Sequence, residues 1–328
     1  VSPSERIPTV EDVRAAASLL RGHAIRTPLL EARLLNEELG CRLLVKAECL
    51  QRTGSFKFRG AFNAISRLPD AARDCGVVAF SSGNHAQGVA AAAQALGVRA
   101  TIVMPEDAPA MKIANTRAYG ARIVLYNRLK DDRAAIAQAL ADKEGLAFVH
   151  PYDDPDVMAG QGTVGLELME QAADLGATVD AVLAPASGGG LVGGVALAVK
   201  AERPEAEVWT TEPEGYDDHA LSFAAGKPVA IQIGKPSLAD ALLAPQPGAI
   251  TFAVNQRLLA GSLVVSDREA QQAMAAAFRH LKLVLEPGGA VALAAVLSGK
   301  LPVRGRTIAV VGSGGNVDAE VYRAALAV

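Results

Sequence analysis

Cysteine is scarce in this chain: three residues in 328, Cys41, Cys49 and Cys75, scattered rather than grouped. That is too few for a disulfide framework or a cysteine zinc site. It suits a reducing compartment, so a cytoplasmic protein is expected. An excess of one charge is missing as well. Lys+Arg 32 stand against Asp+Glu 35, for a formal net charge of −3, without the basic excess of a nucleic-acid binder. No apolar run reaches the ~20 residues of a membrane span. Val179–Pro185 is strand-sized and the Ala-rich Val89–Leu96 is helix-sized. The start, VSPSERIPTVEDV, lacks the basic-then-apolar order of a secretory signal, so none is expected. Neither a nucleic-acid nor a membrane partner is expected.

Apolar content, by contrast, is plentiful. Half of the residues are hydrophobic, which rules out a disordered chain and is ample for packed cores. The length suggests roughly two domains of ~150 residues. Short β-branched runs alternate with longer helical stretches. Val77–Phe80, Ala100–Met104, Arg122–Leu125, Ala181–Ala184, Glu207–Thr211 and Thr307–Val311 read as strands. Helices are predicted over His85–Leu96, Met111–Tyr119, Asp131–Glu144, Leu191–Ala201 and Asp267–Leu281. This alternation implies βαβ units and a parallel sheet, an α/β fold. The block 76–149 holds enough βα units for a small sheet of its own. The expected division is therefore a small domain over 76–149 and a large domain from 1–75 and 150–328, the latter being the cofactor-binding one if the strand-end turns described next hold a ligand.

In open α/β sheets, ligands bind beyond the carboxyl ends of strands, where helices begin. Three predicted strand ends carry small, polar turns: SSGNH at 81–85, SGGG at 187–190 and GSGGN at 312–316. Such turns present backbone N–H groups, and a helix N-terminus adds partial positive charge, so each suits an anion. SGGGL is the best phosphate cradle, because glycine lets backbone approach closely; a plain strand-to-helix turn is the alternative. SSGNH adds hydroxyls, an amide and an imidazole, a mixture able to hold a carboxylate; an ordinary N-cap is its alternative. In QRTGSFKFRGAFNAI (51–65), Thr53 or Ser55 is the expected cap and Lys57 falls in the first helical turn. Phe56 and Phe58 flank Lys57, an apolar setting that lowers an amine pKa. A desolvated lysine is the nucleophile of Schiff-base chemistry, although most lysines are solvated surface groups. Phosphate cradle, carboxylate loop and activated lysine together describe a pyridoxal phosphate site.

SFKFRGA, SSGNHAQG, AGQGT, SGGGLVGG, EPGGAV and SGGNVD occur in the order and spacing of the fold-type II pyridoxal phosphate enzymes. The chain resembles their threonine/serine dehydratase and serine racemase branch, from Thr9 to about Asp318. The resemblance implies two open parallel-sheet domains of the tryptophan synthase β-like architecture and pyridoxal 5′-phosphate as cofactor. It implies that Lys57 bonds the cofactor aldehyde and later takes the substrate Cα proton. The backbone of Gly188, Gly189, Gly190 and Leu191 would hold the phosphate. Asn84 would meet the 3′-oxygen, Phe56 the ring and Ser313 the pyridine nitrogen, with Glu286 of EPGGAV among the cofactor contacts. Ser81, Ser82, Gly83, Asn84 and His85 would bind the substrate carboxylate.

The implied reaction is β-elimination of water from a β-hydroxy amino acid such as L-threonine or L-serine, giving a 2-keto acid and ammonia. Ser82 stands where racemases of the branch place a second base, so serine racemisation is an alternative. Arg133 falls where hydroxyaspartate-using relatives place an arginine, which would pair with a side-chain carboxylate; otherwise it sits on a helix surface. Glu212, the Tyr216 carbonyl and Asp218, in TEPEGYDDH, match a divalent cation site whose oxygen ligands suit Mg²⁺ or Ca²⁺; an acidic surface loop is the alternative. Ala241 departs from the family pattern and would narrow the site. The chain runs out soon after SGGNVD, so no C-terminal regulatory domain is expected. By the same resemblance a homo-oligomer, a dimer, is expected.

Overall fold

The computed structural model describes residues 6–81, 83–108, 110–232, 234 and 237–328. Its strands are β1 (Leu29–Leu30), β2 (Arg42–Lys46), β3 (Val77–Phe80), β4 (Ala100–Pro105), β5 (Arg122–Tyr126), β6 (Ala147–Phe148), β7 (Ala181–Pro185), β8 (Glu207–Pro213), β9 (Gly261–Val265) and β10 (Thr307–Val311). They form two sheets. One has the order β1-β2-β10-β7-β8-β9, the other β5-β4-β3-β6. Every pairing is parallel except β1 with β2, so the α/β architecture read from the sequence stands.

Helices cover both faces of the six-stranded sheet. On one face Asp267–Ala276, Pro287–Leu297 and Ala319–Leu326 pack on the strands; on the other lie Pro155–Asp174 and Gly190–Glu202. From β7 the sheet grows one way to β8 and β9, and the other way to β10. The helix after β7 and the helix after β10 lie on opposite faces, which opens a crevice at the carboxyl ends of these two strands. Both ends carry glycine-rich turns. Pro287–Leu297 is buried from residue 287 to 296, as a helix apolar all round must be.

The four-stranded sheet is also covered twice. Arg133–Glu144 packs on one face. The other face shares a core with the helices Asn84–Leu96 and Lys57–Ser66, so the helix that carries Lys57 buries its apolar side against this smaller sheet. Gly88 lets the two helices touch: a Cβ there would lie 3.0 Å from the Lys57 carbonyl carbon.

The longest helix, Pro155–Asp174, has no counterpart in the predicted elements. The predicted cap of the Lys57 helix is also corrected. The N-cap is Phe56, with no side-chain hydrogen bond, because Ser55 is extended and pairs with Gly314 instead. The predicted helix over Asp267–Leu281 is α-helical to Ala276 and widens into a π turn through Leu281. Among the described residues no helix is long and apolar enough to cross a membrane.

Candidate active site

The segment preceding Lys57 is joined to the turn after β10. Phe56 N–H donates to the Ser313 carbonyl at 3.1 Å, and Gly315 N–H to the Gly54 carbonyl at 2.9 Å. Asn316 Nδ2 donates to the Thr53 carbonyl and to Asn84 Oδ1, each at 2.7 Å. Asn84 Nδ2 in turn donates to Glu286 Oε1 at 2.5 Å. Three segments far apart in sequence, SFKF, SSGNH and SGGN, thus meet with Glu286 at one point.

Lys57 Nζ donates to the Pro151 carbonyl at 2.7 Å and lies 5.1 Å from the centre of the Phe56 ring. Withdrawal from water lowers its pKa to about 8, since desolvation disfavours the charged amine. Beside Pro151, Tyr152 lies against Gly188, where a Cβ would come within 2.1 Å of its ring. Adjacent residues of the segment 150–155 therefore touch the amine and the glycine turn. The aspartates of that segment cap two helices. Asp153 accepts from the N–H groups of Ala249, Ile250 and Thr251, and Asp154 from those of Asp156 and Val157.

The turn at 187–190 is fixed by its carbonyls. His219 Nε2 lies 3.0 Å from the Ser187 carbonyl. Thr251 Oγ1 and Gly248 N–H donate to the carbonyl of Gly188, and Asn255 Nδ2 and Gly193 N–H to that of Gly189. By contrast, the N–H groups of Gly188, Gly189, Gly190 and Leu191 find no carbonyl among the described residues. The first N–H groups of a helix need outside acceptors. The buried amide of Gln161 also has no partner there, and a Cβ on Gly190 would lie 2.8 Å from its Oε1. Four unpaired N–H groups, a positive φ of 94° at Gly189 and an amine of lowered pKa fit a phosphate-bearing aldehyde.

The other expected residues are placed as follows. Ser81 Oγ accepts from Gly83 N–H at 3.2 Å. The His85 ring is buried beside the Val149 carbonyl, 3.0 Å from Nε2. Burial and the neighbouring Lys57 hold it down to about 3. What His85 offers an anion is therefore its backbone N–H, not a charge. Burial pushes the Glu286 carboxyl up to about 8, helped by Asp240. Ser313 is buried. Ser82 lies outside the described residues. Arg133 opens its helix as an exposed residue, as the helix-surface alternative expects, with its guanidinium 5.1 Å from the Phe80 ring at the end of β3. Nearby, Lys112 pairs with Asp240 at 3.0 Å, a rim contact the sequence reading did not anticipate. A Cβ at Gly288 would touch that of Ala241 at 3.3 Å.

Glu212 and Asp218 come together and are buried, which overturns the surface-loop alternative. Burial raises both, Glu212 to about 7 and Asp218 to about 8, the latter also through the Glu212 charge. His219 joins them, a residue that nothing in the linear motif singled out.

Below the site, Arg59 of SFKFRGA is fully buried. It bonds both oxygens of Glu48 and both of Glu167, each at 2.8 Å. Lys46 Nζ adds 2.7 Å contacts to Glu167 and to the Thr27 carbonyl. This network ties the Lys57 helix to β2 and to the helix Pro155–Asp174.

The crevice at the switch point, lined by unpaired N–H groups and a lysine of lowered pKa, fits the class of cofactor enzymes whose cofactor carries a phosphate and a carbonyl. The chain belongs to the pyridoxal-phosphate dependent enzyme family, whose profile matches residues 20–314. It is 44% identical over 321 residues to an L-threo-3-hydroxyaspartate ammonia-lyase of Pseudomonas sp, covering 98% of this chain and 99% of that protein. A serine racemase of Schizosaccharomyces pombe is 40% identical, with 96% of each chain covered. The crystal structure of a T.th. threonine deaminase superposes with a TM-score of 0.90 at 46% identity, covering 95% of this chain and 99% of that one.

Proposed function

We propose that this chain is an ammonia-lyase that dehydrates a β-hydroxy amino acid carrying a second carboxylate, of the L-threo-3-hydroxyaspartate type. The products are a 2-keto acid and ammonia; the water lost at Cβ is regained when ammonia is released. Pyridoxal phosphate, when bound, supplies the electron sink that makes the Cα proton removable.

The chain's own groups then divide the work. The N–H groups of Gly188 to Leu191 would hold the phosphate, and Phe56, Asn84, Glu286 and Ser313 would serve the ring and its polar atoms. The Ser313 hydroxyl, as partner of the pyridine nitrogen, would leave that nitrogen mostly neutral. Lys57, with a pKa of about 8, has a sizeable neutral fraction near pH 7–8 and takes the Cα proton. Ser81 and the N–H groups at the start of Asn84–Leu96 hold the α-carboxylate.

The observation that carries the substrate reading is Arg133. Its guanidinium stands over Phe80, where β3 delivers the carboxylate-binding turn, and among the described residues it pairs with no carboxylate. A second substrate carboxylate would complete it bidentately. Likeness to the hydroxyaspartate ammonia-lyase supports the same reading.

The test is a proton NMR time course of the holoenzyme in D₂O, with L-threo-3-hydroxyaspartate, L-threonine and L-serine run separately and chiral analysis of what remains. Keto acid from hydroxyaspartate at the highest kcat/KM is expected. Arg133→Ala should lower that value roughly 10- to 100-fold, the worth of a charged hydrogen bond, and leave threonine unchanged. An unaltered ratio between the two substrates refutes the assignment. D-enantiomer with Cα deuterium and little keto acid would instead make the chain a racemase, with Ser82 as the second base.

A further inference from the structure

The acidic pair and the glycine turn meet at His219, whose side chain is fully buried. Its Nε2 lies 3.0 Å from the Ser187 carbonyl. A carbonyl only accepts, so Nε2 carries the hydrogen and Nδ1 holds a lone pair. That Nδ1 is buried and has no hydrogen-bond partner among the described residues. Both carboxylate oxygens of Asp218, itself 1% exposed, are likewise buried and unpartnered there. A ring nitrogen of His219 and carboxylate oxygens of Glu212 and Asp218 all lie within 4.8 Å of one another. The Tyr216 carbonyl, on the preceding turn, receives no backbone N–H from any described residue.

Buried polar atoms are normally paired, and here the His219 Nδ1 and both Asp218 oxygens are left without a partner in one cluster. A cation satisfies them all at once. Glu212 is already oriented, accepting from the N–H groups of His219 and Ala220 at 2.8 and 3.0 Å and from the Ser262 hydroxyl. The imidazole is oriented too. A metal-bound histidine almost always donates its other N–H to a carbonyl or carboxylate, and His219 has that arrangement with Ser187.

We propose that His219 Nδ1 is a ligand of a divalent cation held together with Glu212, Asp218 and the Tyr216 carbonyl, and that this nitrogen makes the site prefer a first-row transition ion to Mg²⁺ or Ca²⁺. The three oxygen ligands alone suit the hard ions. An imidazole adds affinity for transition ions, which magnesium and calcium gain little from. The ion then sits one side chain away from Ser187, the residue that opens the phosphate turn. None of this depends on which β-hydroxy acid the enzyme consumes.

Mn²⁺ and Mg²⁺ are the probes. Holoenzyme stripped with a chelator is titrated with each ion by calorimetry, and the Mn²⁺ complex is studied by pulsed electron paramagnetic resonance. Mn²⁺ should bind more tightly than Mg²⁺ and show the modulation of a coordinated imidazole nitrogen. His219→Gln keeps a donor for Ser187; it should lose that modulation and weaken Mn²⁺ more than Mg²⁺. Asp218→Asn should weaken both ions. The proposal is overturned if Mn²⁺ binds without an imidazole signal, if His219→Gln weakens both ions equally or neither, or if Asp218→Asn binds Mn²⁺ as tightly as the unaltered chain. Should His219→Gln fail to fold, the resonance spectrum of the unaltered protein decides alone.

Discussion

Arg59→Met removes the centre of the buried ion network beneath the Lys57 helix. Glu48, fully buried, would keep only the Thr27 hydroxyl, at 2.5 Å, as a hydrogen-bond partner, with the Lys46 ammonium as the remaining charge in its field. Glu167 would keep Lys46. Removing one partner of a buried pair typically costs ~3–5 kcal/mol, because an uncompensated charge stays behind. Proton uptake limits that loss. Bringing a carboxyl group from its ordinary range to its neutral form at pH 7 costs ~3.7 kcal/mol, and at pH 5.5 only ~1.6 kcal/mol. The deficit should therefore be ~3–4 kcal/mol at pH 7 and fall by about 2 kcal/mol at pH 5.5. At ~2 °C per kcal/mol for a chain of this size, the thermal midpoint drops by roughly 6–8 °C at neutral pH. Thermal unfolding at the two pH values is the assay. Because the network is shielded from solvent, added salt should not change the difference. A drop under about 1 kcal/mol, or a deficit that does not shrink at pH 5.5, would refute the argument. A second substitution, Glu48→Leu, should restore part of the loss by removing the stranded carboxylate.

Two further outcomes follow from the site. Gly189→Ala places a Cβ 2.6 Å from Asn255 Nδ2 and His219 Cε1 at a φ of 94°, which adds ~1–2 kcal/mol of backbone strain. Pyridoxal phosphate should bind at least about tenfold more weakly by absorbance titration, and unchanged binding would show that the turn does not hold the phosphate. Glu286 is raised from 4.5 to about 8 by burial, so between those values the folded chain binds a proton that the unfolded chain has released. The contribution of Glu286 to the stability of the cofactor-free protein must then fall as pH rises through that window. Glu286→Gln should change the slope of stability against pH in that window by one proton's worth, ~1.4 kcal/mol per pH unit, in the direction of greater stability at the higher pH. Denaturant unfolding at stepped pH measures it, and an unchanged slope contradicts a neutral Glu286.

Local signals in the sequence were strong where strands end in small residues. β-branched runs followed by SSGNH, SGGG and GSGGN marked the strand ends and helix starts that line the crevice, because strand propensity and glycine turn chemistry act within a few residues. Lys57 was legible from its aromatic neighbours and its place in the first helical turn. The alternation of strand and helix was enough for a parallel α/β fold, since parallel strands need crossovers. The helix Pro155–Asp174 was hidden. Its glycines at 160, 162 and 165 lower helix propensity, yet each removes a Cβ that would strike backbone, at Arg59, Gly194 and Val195 respectively. Only the neighbouring helices give those glycines their purpose.

Tertiary structure alone made the remaining decisions. Ser55 was an apparent cap until Gly314 claimed its backbone. Arg59, two residues beyond Lys57 and no different in the sequence from a solvated charge, became the buried hub of four carboxylate contacts. His219 carried no signal because its partners, Ser187 and Glu212, lie 32 and 7 residues away. What the order of amino acids determined was the inventory of elements and the chemistry at their ends, both governed by short-range sterics and propensity. Which ends meet, which charges lose their water and which pKa values move were decided by burial and by long-range contact, and those arise only once the chain has closed on itself.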